Sequence, residues 1–158
     1  MCVNDPAVSC FIEAGLIRKK DFWGTWKTYF YYSYLNSGNP SENIKDETDT
    51  TIFHNVEITK ISATQWKVNF DWGAKIYYVT FSRDWSGQQC YSQFEAKETN
   101  FRYIPDMAML FEGKDLIYYE SGGWHVFQNN NCFNHNFEYD VKYTWGSQQN
   151  YWMAWEDR

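Results

Sequence analysis

Four side chains on predicted strands are the candidates for acid–base chemistry: Asp71, Asp140, Glu57 and His125. General acid–base catalysis needs a carboxylate or a histidine whose pKa is shifted by burial or by a partner. Each of the four lies opposite an aromatic stripe or has no identifiable partner in the sequence, so we interpret them as side chains of a solvated outer face. Since the sequence also contains no nucleophile elbow, phosphate loop or metal signature, we expect no catalytic residue.

The cysteines are the other reactive side chains, and there are four of them: Cys2, Cys10, Cys90 and Cys132. No C-x-x-C pair exists and the three histidines show no ligand spacing relative to the cysteines, so we expect no metal site. An even number of cysteines at long spacings fits two disulfides formed in an oxidising compartment, although four cysteines allow three pairings. Cys90–Cys132 is the bridge we prefer, and buried thiols are the alternative.

Composition limits the class of protein and of partner. Aromatic residues make up 22 % of the 158 residues, with nine Trp and thirteen Tyr, which is typical of strands and of apolar ligand cavities. A net charge of -6 argues against nucleic acid, whose binding needs a basic face. No apolar run approaches the ~20 residues of a membrane span. The first residues lack the basic and apolar regions of a signal peptide, so we expect a cytosolic chain or a trimmed mature form.

The first twenty residues are predicted to be a helical segment. Asp5-Pro6 is typical of a helix start, and apolar residues follow at roughly helical spacing. Arg18-Lys19-Lys20 would suit a helix C-terminus. On one straight helix Cys2 and Cys10 would lie too far apart to form a disulfide.

The remainder of the chain, residues 21–158, alternates in the manner of strands. In the clearest case Trp66, Val68, Phe70 and Trp72 alternate with polar residues, which predicts one buried face. Evenly spaced strands with short turns predict an antiparallel barrel or sandwich. We favour a closed barrel of about eight strands, because a sandwich would leave aromatic-rich edges open to pairing with other chains.

Inward-facing aromatic side chains would then frame an elongated apolar cavity or fill it. The predicted ligand-binding residues are Phe30, Trp66, Phe70, Trp72, Tyr143 and Trp145. Planar walls with few charges suit a polyene, a retinoid or a chlorin-like molecule. The alternative is a filled barrel that binds a protein through outward rings, and the candidates for that interface are Tyr29, Tyr31, Tyr77 and Trp152.

Two positions at the ends of the predicted barrel resemble the lipocalin (calycin) family. Gly24-Thr25-Trp26 stands at the head of the first strand, and Arg158 follows the last strand. In lipocalins such an Arg packs over the first-strand Trp and closes the barrel floor. The resemblance implies an all-β, lipocalin-like antiparallel up-and-down barrel of about eight strands, with a short N-terminal helix, in which Gly24, Trp26 and Arg158 form the closure.

A narrower resemblance is to the lipocalin domain of violaxanthin de-epoxidase. It is carried by residues 2–10, by the Leu110-to-Tyr119 segment with Gly123-Trp124-His125-Val126, and by residues 139–158. That family carries its proton donor, an Asp, on the second strand; the matching segment here is Phe53-His54-Asn55, with His54 at the acid position. The cysteine-rich region of the family is reduced to two residues, and its Glu-rich tail is absent.

Three functional hypotheses remain. The first is a non-catalytic, plastid-type lipocalin of the thylakoid lumen, with no required cofactor and no transmembrane segment. It would bind a carotenoid-like pigment, dock on a photosynthetic membrane complex as an accessory subunit, or do both. The second is a secreted lipocalin that scavenges small amphiphiles, as in blood-feeding arthropods. The third is a de-epoxidase-like oxidoreductase.

Overall fold

Antiparallel strands form nearly all of the regular structure. The computed structural model describes residues 1–36, 38, 40–49, 51–87, 89–91, 111–113, 117–126, 141–145 and 152–156. Within these residues the one helical element is a single 3-10 turn at Asp71–Gly73. The predicted all-β class is therefore confirmed. The chain divides into two units, Met1–Tyr91 and Ser92–Arg158.

Unit 1 contains two sheets. Its strands are β1 (Cys2–Asp5), β2 (Cys10–Lys20), β3 (Trp26–Asn36), β4 (Ser41–Glu47), β5 (Val56–Lys60), β6 (Gln65–Phe70), β7 (Lys75–Thr80) and β8 (Gln89–Tyr91). A five-stranded sheet has the order β4-β3-β2-β1-β8, and a three-stranded sheet has the order β5-β6-β7.

The described strands of unit 2 form two smaller sheets. They are β9 (Phe111–Gly113), β10 (Ile117–Glu120), β11 (Gly123–Val126), β12 (Val141–Trp145) and β13 (Trp152–Glu156). One sheet is the β10-β11 hairpin, and the other has the order β12-β13-β9. In the described part of the chain the strands form separate sheets that do not close into a barrel, so the eight-stranded lipocalin barrel over residues 21–158 stays a prediction.

The predicted N-terminal helix is wrong, because residues 1–20 form two strands. β1 pairs with β2, and β2 pairs with β3 from Cys10↔Asn36 to Lys20↔Trp26. Cys10, Ile12 and Ala14 are buried while the residues between them are only partly so, which is the two-residue period of a strand. Asp5-Pro6 begins the turn between the strands, where the Asp5 carboxylate accepts a hydrogen bond from the Ala7 N–H at 3.1 Å. Pairing with two neighbouring strands thus overrides the apolar spacing that indicated a helix.

The core of unit 1 is the layer of side chains between its two sheets. Phe30 and Tyr32 of β3 face Phe70 of β6 and Tyr77 of β7, with ring centroids 4.7 Å apart for Phe30–Phe70 and 5.3 Å apart for Tyr32–Tyr77. The buried cluster consists of Cys10, Ile12, Ala14, Phe30, Tyr32, Trp66, Val68, Phe70, Val79, Phe81 and Trp85. Aromatic rings from both sheets therefore hold unit 1 together.

The predicted inward face of β6 is right for three residues and wrong for the fourth. Trp66, Val68 and Phe70 are buried, whereas Trp72 is 86 % exposed. The strand ends at Phe70, and Asp71 and Trp72 adopt positive φ values of 51° and 57°. This left-handed turn interrupts the alternation and directs the Trp72 ring to solvent.

A polar network stabilises the pairing of β5 with β6. The Glu57 carboxylate accepts hydrogen bonds from the Thr59 hydroxyl and, at 2.9 Å, from the Asn69 amide, and Lys67 lies 3.3 Å from it. The hydrogen bond from Thr59 is the main reason that the pKa of Glu57 is lowered, and Asn69 and Lys67 add to it while burial opposes it.

We predict that Phe70→Ala destabilises the protein by about 3–5 kcal/mol, because it removes a fully buried ring from the contact between the sheets. Trp72→Ala, two residues away, is the matched control, since it removes an exposed ring and should change the free energy of unfolding by less than ~0.5 kcal/mol. Urea denaturation measures both variants. Equal effects of the two substitutions would contradict the packing described above.

A second prediction concerns pH. A lowered pKa in the folded protein means that ionised Glu57 stabilises the fold above the ordinary carboxyl pKa, and that this stabilisation disappears as the pH falls through the folded-state value. Glu57→Gln should therefore be less stable than the wild type at pH 7, with the difference vanishing in acid below pH ~4. Urea midpoints measured across this range test the prediction. A difference that persists unchanged in acid would contradict it.

Candidate functional site

A histidine and a carboxylate meet at one end of unit 1. His54 Nδ1 lies 3.1 and 3.0 Å from the two carboxylate oxygens of Asp71. His54 Nε2 lies 3.1 Å from the Thr48 hydroxyl and 2.6 Å from the Asp49 carbonyl oxygen. A carboxylate, an imidazole and a hydroxyl in series are the components of a hydrolytic triad, so this group is the described arrangement closest to a catalytic one.

The packing around His54 indicates a structural role instead. Its side chain is only 3 % exposed, and the Phe30 ring lies edge-on against it with centroids 4.9 Å apart. Nδ1 faces the Asp71 carboxylate, and Nε2 faces the Thr48 hydroxyl and the Asp49 carbonyl oxygen, so the ring is enclosed by protein groups. The bonds hold the segment after β4 against the turn at Asp71–Gly73. The Asp71 carboxylate adds a further bond to that segment, from the Asn55 N–H at 3.2 Å.

The four predicted ligand-binding residues of unit 1 are divided between its core and its surface. Phe30, Trp66 and Phe70 are buried in contact with other rings, and Trp72 is exposed. Tyr143 and Trp145 belong to β12 of unit 2, and their side chains lie outside the described residues. The rings of unit 1 form a continuous series with centroid separations of 4.4 to 6.4 Å, in the order Trp66, Trp85, Phe81, Tyr34, Tyr32, Tyr77, Phe70 and Phe30. These neighbouring rings occupy the layer between the two sheets.

The predicted protein interface is partly overturned. Tyr77 was expected to face outward, but it packs inward between Tyr32 and Phe70, since it shares the core face of β7 with Val79. Tyr29 and Tyr31 of β3 are half-buried. The side chain of Trp152 lies outside the described residues.

The N-terminal cysteines lie at the opposite end of unit 1, beside an open depression of about 340 Å³. Cys2 and Cys10 are both buried, but they pair in register with Glu13 and Asp5, and no disulfide joins them. The Cys10 thiol donates a hydrogen bond to the Val8 carbonyl oxygen, and burial raises its pKa. Cys132 and the side chain of Cys90 lie outside the described residues, so the Cys90–Cys132 bridge stays a prediction.

Two of the three predicted closure residues lie where β2 joins β3, with Gly24 in the turn and Trp26 at the start of β3. Gly24 has a φ of 80°, which suits glycine. The half-buried Trp26 ring lies near two cations, with Arg18 Cζ at 5.7 Å and Lys20 Nζ at 5.2 Å from its centroid. Cations of the neighbouring strand therefore contact Trp26, in the way expected of Arg158, which lies outside the described residues.

The same turn exposes two large aromatic side chains. Phe22 is 92 % exposed and Trp23 is 84 % exposed, and their rings meet edge to face with centroids 5.2 Å apart. The Asp21 carboxylate accepts hydrogen bonds from the Trp23 and Thr25 N–H groups, each at 2.9 Å. The Asp21 N–H donates to the Thr25 carbonyl oxygen, and the Gly24 N–H donates to the Asp21 carbonyl oxygen. The turn thus has a fixed backbone and presents both rings to solvent.

Three further apolar side chains are exposed at the same end of unit 1: Ile52, Phe53 and Trp72. The segment that carries Ile52 and Phe53 begins beside β3, because the Thr48 N–H donates to the Thr28 carbonyl oxygen at 2.9 Å. The turn that carries Trp72 is tied to this segment through His54 and Asp71, as described above. We call Phe22, Trp23, Ile52, Phe53 and Trp72 together the aromatic end.

Metal sites and membrane-spanning helices are two other features that the described residues could contain. No group of three or more His, Cys, Asp or Glu side chains is arranged there to hold a metal ion. No helix of the described residues has the length and apolarity to cross a membrane.

We predict that His54 and Asp71 are energetically coupled. His54→Gln and Asp71→Asn should each destabilise the protein by about 1–3 kcal/mol, because each disrupts the bond between a carboxylate and an imidazole whose side chain is only 3 % exposed. The double variant should lose less than the sum of the two, which urea denaturation of all four proteins measures as a double-mutant cycle. Strictly additive losses would mean that the pair is not coupled.

Comparison of the chain with protein-family models, with curated proteins and with solved structures gave no match in any of the three.

Proposed function

We propose that this chain is a non-catalytic accessory protein that docks on a membrane surface through its aromatic end. The observation that carries the proposal is the near-complete exposure of Phe22 and Trp23 on a turn whose backbone is already hydrogen-bonded. Large exposed apolar patches on soluble proteins mark sites of interaction. Two adjacent aromatic rings at a hairpin tip can insert into a lipid bilayer, whereas rings that line a groove would suit a bound peptide or small molecule.

A membrane interface is favourable for these two side chains in particular. Trp and other amphipathic rings concentrate at the headgroup level of bilayers, where the ring is shielded and its polar edge stays hydrated. Removal of a Phe or Trp side chain from water is worth about 1.5–3 kcal/mol when complete. In addition, the turn has few unsatisfied N–H groups, so its entry into a water-poor region costs less than that of an open loop.

The ligand-binding part of the expected function receives less support from unit 1. An elongated pigment needs an apolar cavity, whereas the space between the two sheets of unit 1 is occupied by rings in contact. Binding of a carotenoid-like molecule is therefore proposed only for the part of the chain that includes Tyr143 and Trp145. The de-epoxidase alternative needs a proton donor that reaches a substrate from position 54. It is less favoured, because both ring nitrogens of His54 face groups of the protein itself.

The resemblance to the lipocalin domain of violaxanthin de-epoxidase gives the proposal a cellular setting. It favours a plastid protein of the thylakoid lumen that docks beside a photosynthetic membrane complex. A secreted protein that scavenges small amphiphiles is the alternative. An end that docks on a membrane fits the plastid setting, because a protein that scavenges amphiphiles needs a binding cavity and not an exposed apolar tip.

The test is binding of the purified full chain to membranes isolated from its natural source. The variant with both Phe22→Ser and Trp23→Ser should bind at least about tenfold more weakly than the wild type, because it removes both exposed rings. Co-sedimentation measures the bound fraction. Tyr78→Ser is the matched control: Tyr78 is 58 % exposed on β7, away from the aromatic end, and its loss should leave binding unchanged. Unchanged binding of the tip variant would overturn the proposal.

A further inference from the structure

We propose that the membrane surface bound by the aromatic end is an anionic one, and that Arg18, Lys19 and Lys20 contact its negatively charged headgroups while Phe22 and Trp23 insert between the lipids. This inference rests on the proposed docking function and adds the chemistry of the lipid. It is carried by the charges that surround the hairpin tip and by the absence, among the described residues, of ion pairs to Arg18, Lys19 and Lys20.

The charge around the tip is opposite to that of the whole protein. Residues 18–27 contain four basic side chains and one acidic side chain, Asp21, although the net charge of the chain is -6. Lys27 is neutralised by Glu47, with 2.9 Å between the amino group and the carboxylate. Among the described residues, Arg18, Lys19 and Lys20 form no ion pair with a carboxylate. Three uncompensated positive charges therefore stand directly before the exposed rings.

Aromatic rings hold these three cations on both faces of the β2–β3 hairpin. Arg18 and Lys20 lie near the Trp26 ring on one face, and Lys19 Nζ lies 5.6 Å from the centroid of Tyr29 on the other. A cation–π contact restrains a side chain without using its N–H donors, which stay available for phosphate or carboxylate oxygens. The hairpin thus presents cations around an apolar tip, which is the composition of peripheral membrane anchors.

The tip of the hairpin lies well beyond the contact between the two sheets. Phe30 belongs to that contact, and Trp26 lies four residues nearer the tip on the same strand. At about 3.3 Å per residue, the strand extends about 13 Å beyond the Phe30 ring before the turn begins. Phe22 and Trp23 in the turn, and Arg18, Lys19 and Lys20 just before it, are therefore separated from the core of unit 1.

The acidic side chains at this end make their contacts within the protein, among them Glu47 with Lys27 and Asp49 with the Thr51 N–H. The Asp21 carboxylate accepts two N–H bonds of the turn, and Asp71 holds His54. Asp46 pairs with Lys75. Charge complementarity therefore favours an anionic lipid surface over a neutral one.

The test uses the purified full chain and vesicles of two compositions, phosphatidylcholine alone and phosphatidylcholine with 30 mol % phosphatidylglycerol. We expect at least about tenfold tighter binding to the anionic vesicles, and a loss of that preference in high salt. Lys20→Gln should weaken binding to them about fivefold, since a basic residue near an anionic surface contributes about that factor. Lys60→Gln is the control, because Lys60 pairs with Asp84 at the opposite end of unit 1 and its loss should change nothing.

Two further variants separate charge from insertion. Replacement of Arg18, Lys19 and Lys20 together by Gln should abolish the preference for anionic vesicles, whereas Lys19→Arg with Lys20→Arg should retain it. The variant Phe22→Ser with Trp23→Ser should bind neither kind of vesicle tightly. Circular dichroism checks that each variant is folded.

The outcomes distinguish this inference from the proposed function. Equal binding to both vesicle types, lost in the tip variant, would overturn the anionic preference and leave membrane docking in place. No vesicle binding, with tip-dependent binding to native membranes, would identify a membrane protein as the occupant and overturn the inference alone. A wild-type dimer that the tip variant dissociates, without vesicle binding, would identify a second copy of the chain. If the tip variant binds native membranes as the wild type does, the proposed function fails as well.

Discussion

Contact between aromatic rings of two facing sheets is the interaction on which unit 1 depends. Phe30 and Tyr32 on β3 meet Phe70 and Tyr77 on β6 and β7, and the ring of Tyr34 continues the same face of β3. Because every second residue of β3 takes part, a shift of the strand by one residue would place all three rings on the wrong face. The rings therefore fix the register of the five-stranded sheet, and they also occupy the space where a ligand would otherwise bind.

Because rings occupy the interior of unit 1, we expect its binding site to lie on its surface. The aromatic residues that the core does not use are not spread evenly, since several of the most exposed ones, among them Phe22, Trp23 and Trp72, lie at one end. Two sets of hydrogen bonds hold them there. The Asp21 carboxylate fixes the turn before β3, and the His54–Asp71 pair joins the segment after β4 to the turn after β6. Polar groups thus position apolar side chains in water, which is the arrangement that the proposed docking uses.

The sequence predicts the strands well where they alternate, but alternation alone does not show where a strand ends. It correctly identifies the buried face of β6 and continues through Trp72, although the strand ends at Phe70, and Asp71 and Trp72 have positive φ values. β2 is mistaken for a helix because its apolar residues also fit a helical spacing, and only pairing with β1 and β3 decides between the two. The contact of His54 with Asp71 joins residues seventeen positions apart, for which a single sequence carries no signal. The tip could have been recognised, since Asp21 three residues before Gly24 is a turn signature.

The interior of unit 1 is occupied by packed rings, and we propose that unit 1 acts through its aromatic end. The most direct measurement is the ¹⁵N-indole NMR spectrum of the full chain, recorded with bilayer nanodiscs that contain phosphatidylglycerol and a spin-labelled lipid. We expect the spin-labelled lipid to broaden the Trp23 indole signal strongly. The signals of Trp66 and Trp85 should not broaden, because their rings are stacked in the core with centroids 4.4 Å apart. Broadening of Trp66 or Trp85 with Trp23 unaffected would mean that lipid enters the interior, and it would contradict the account.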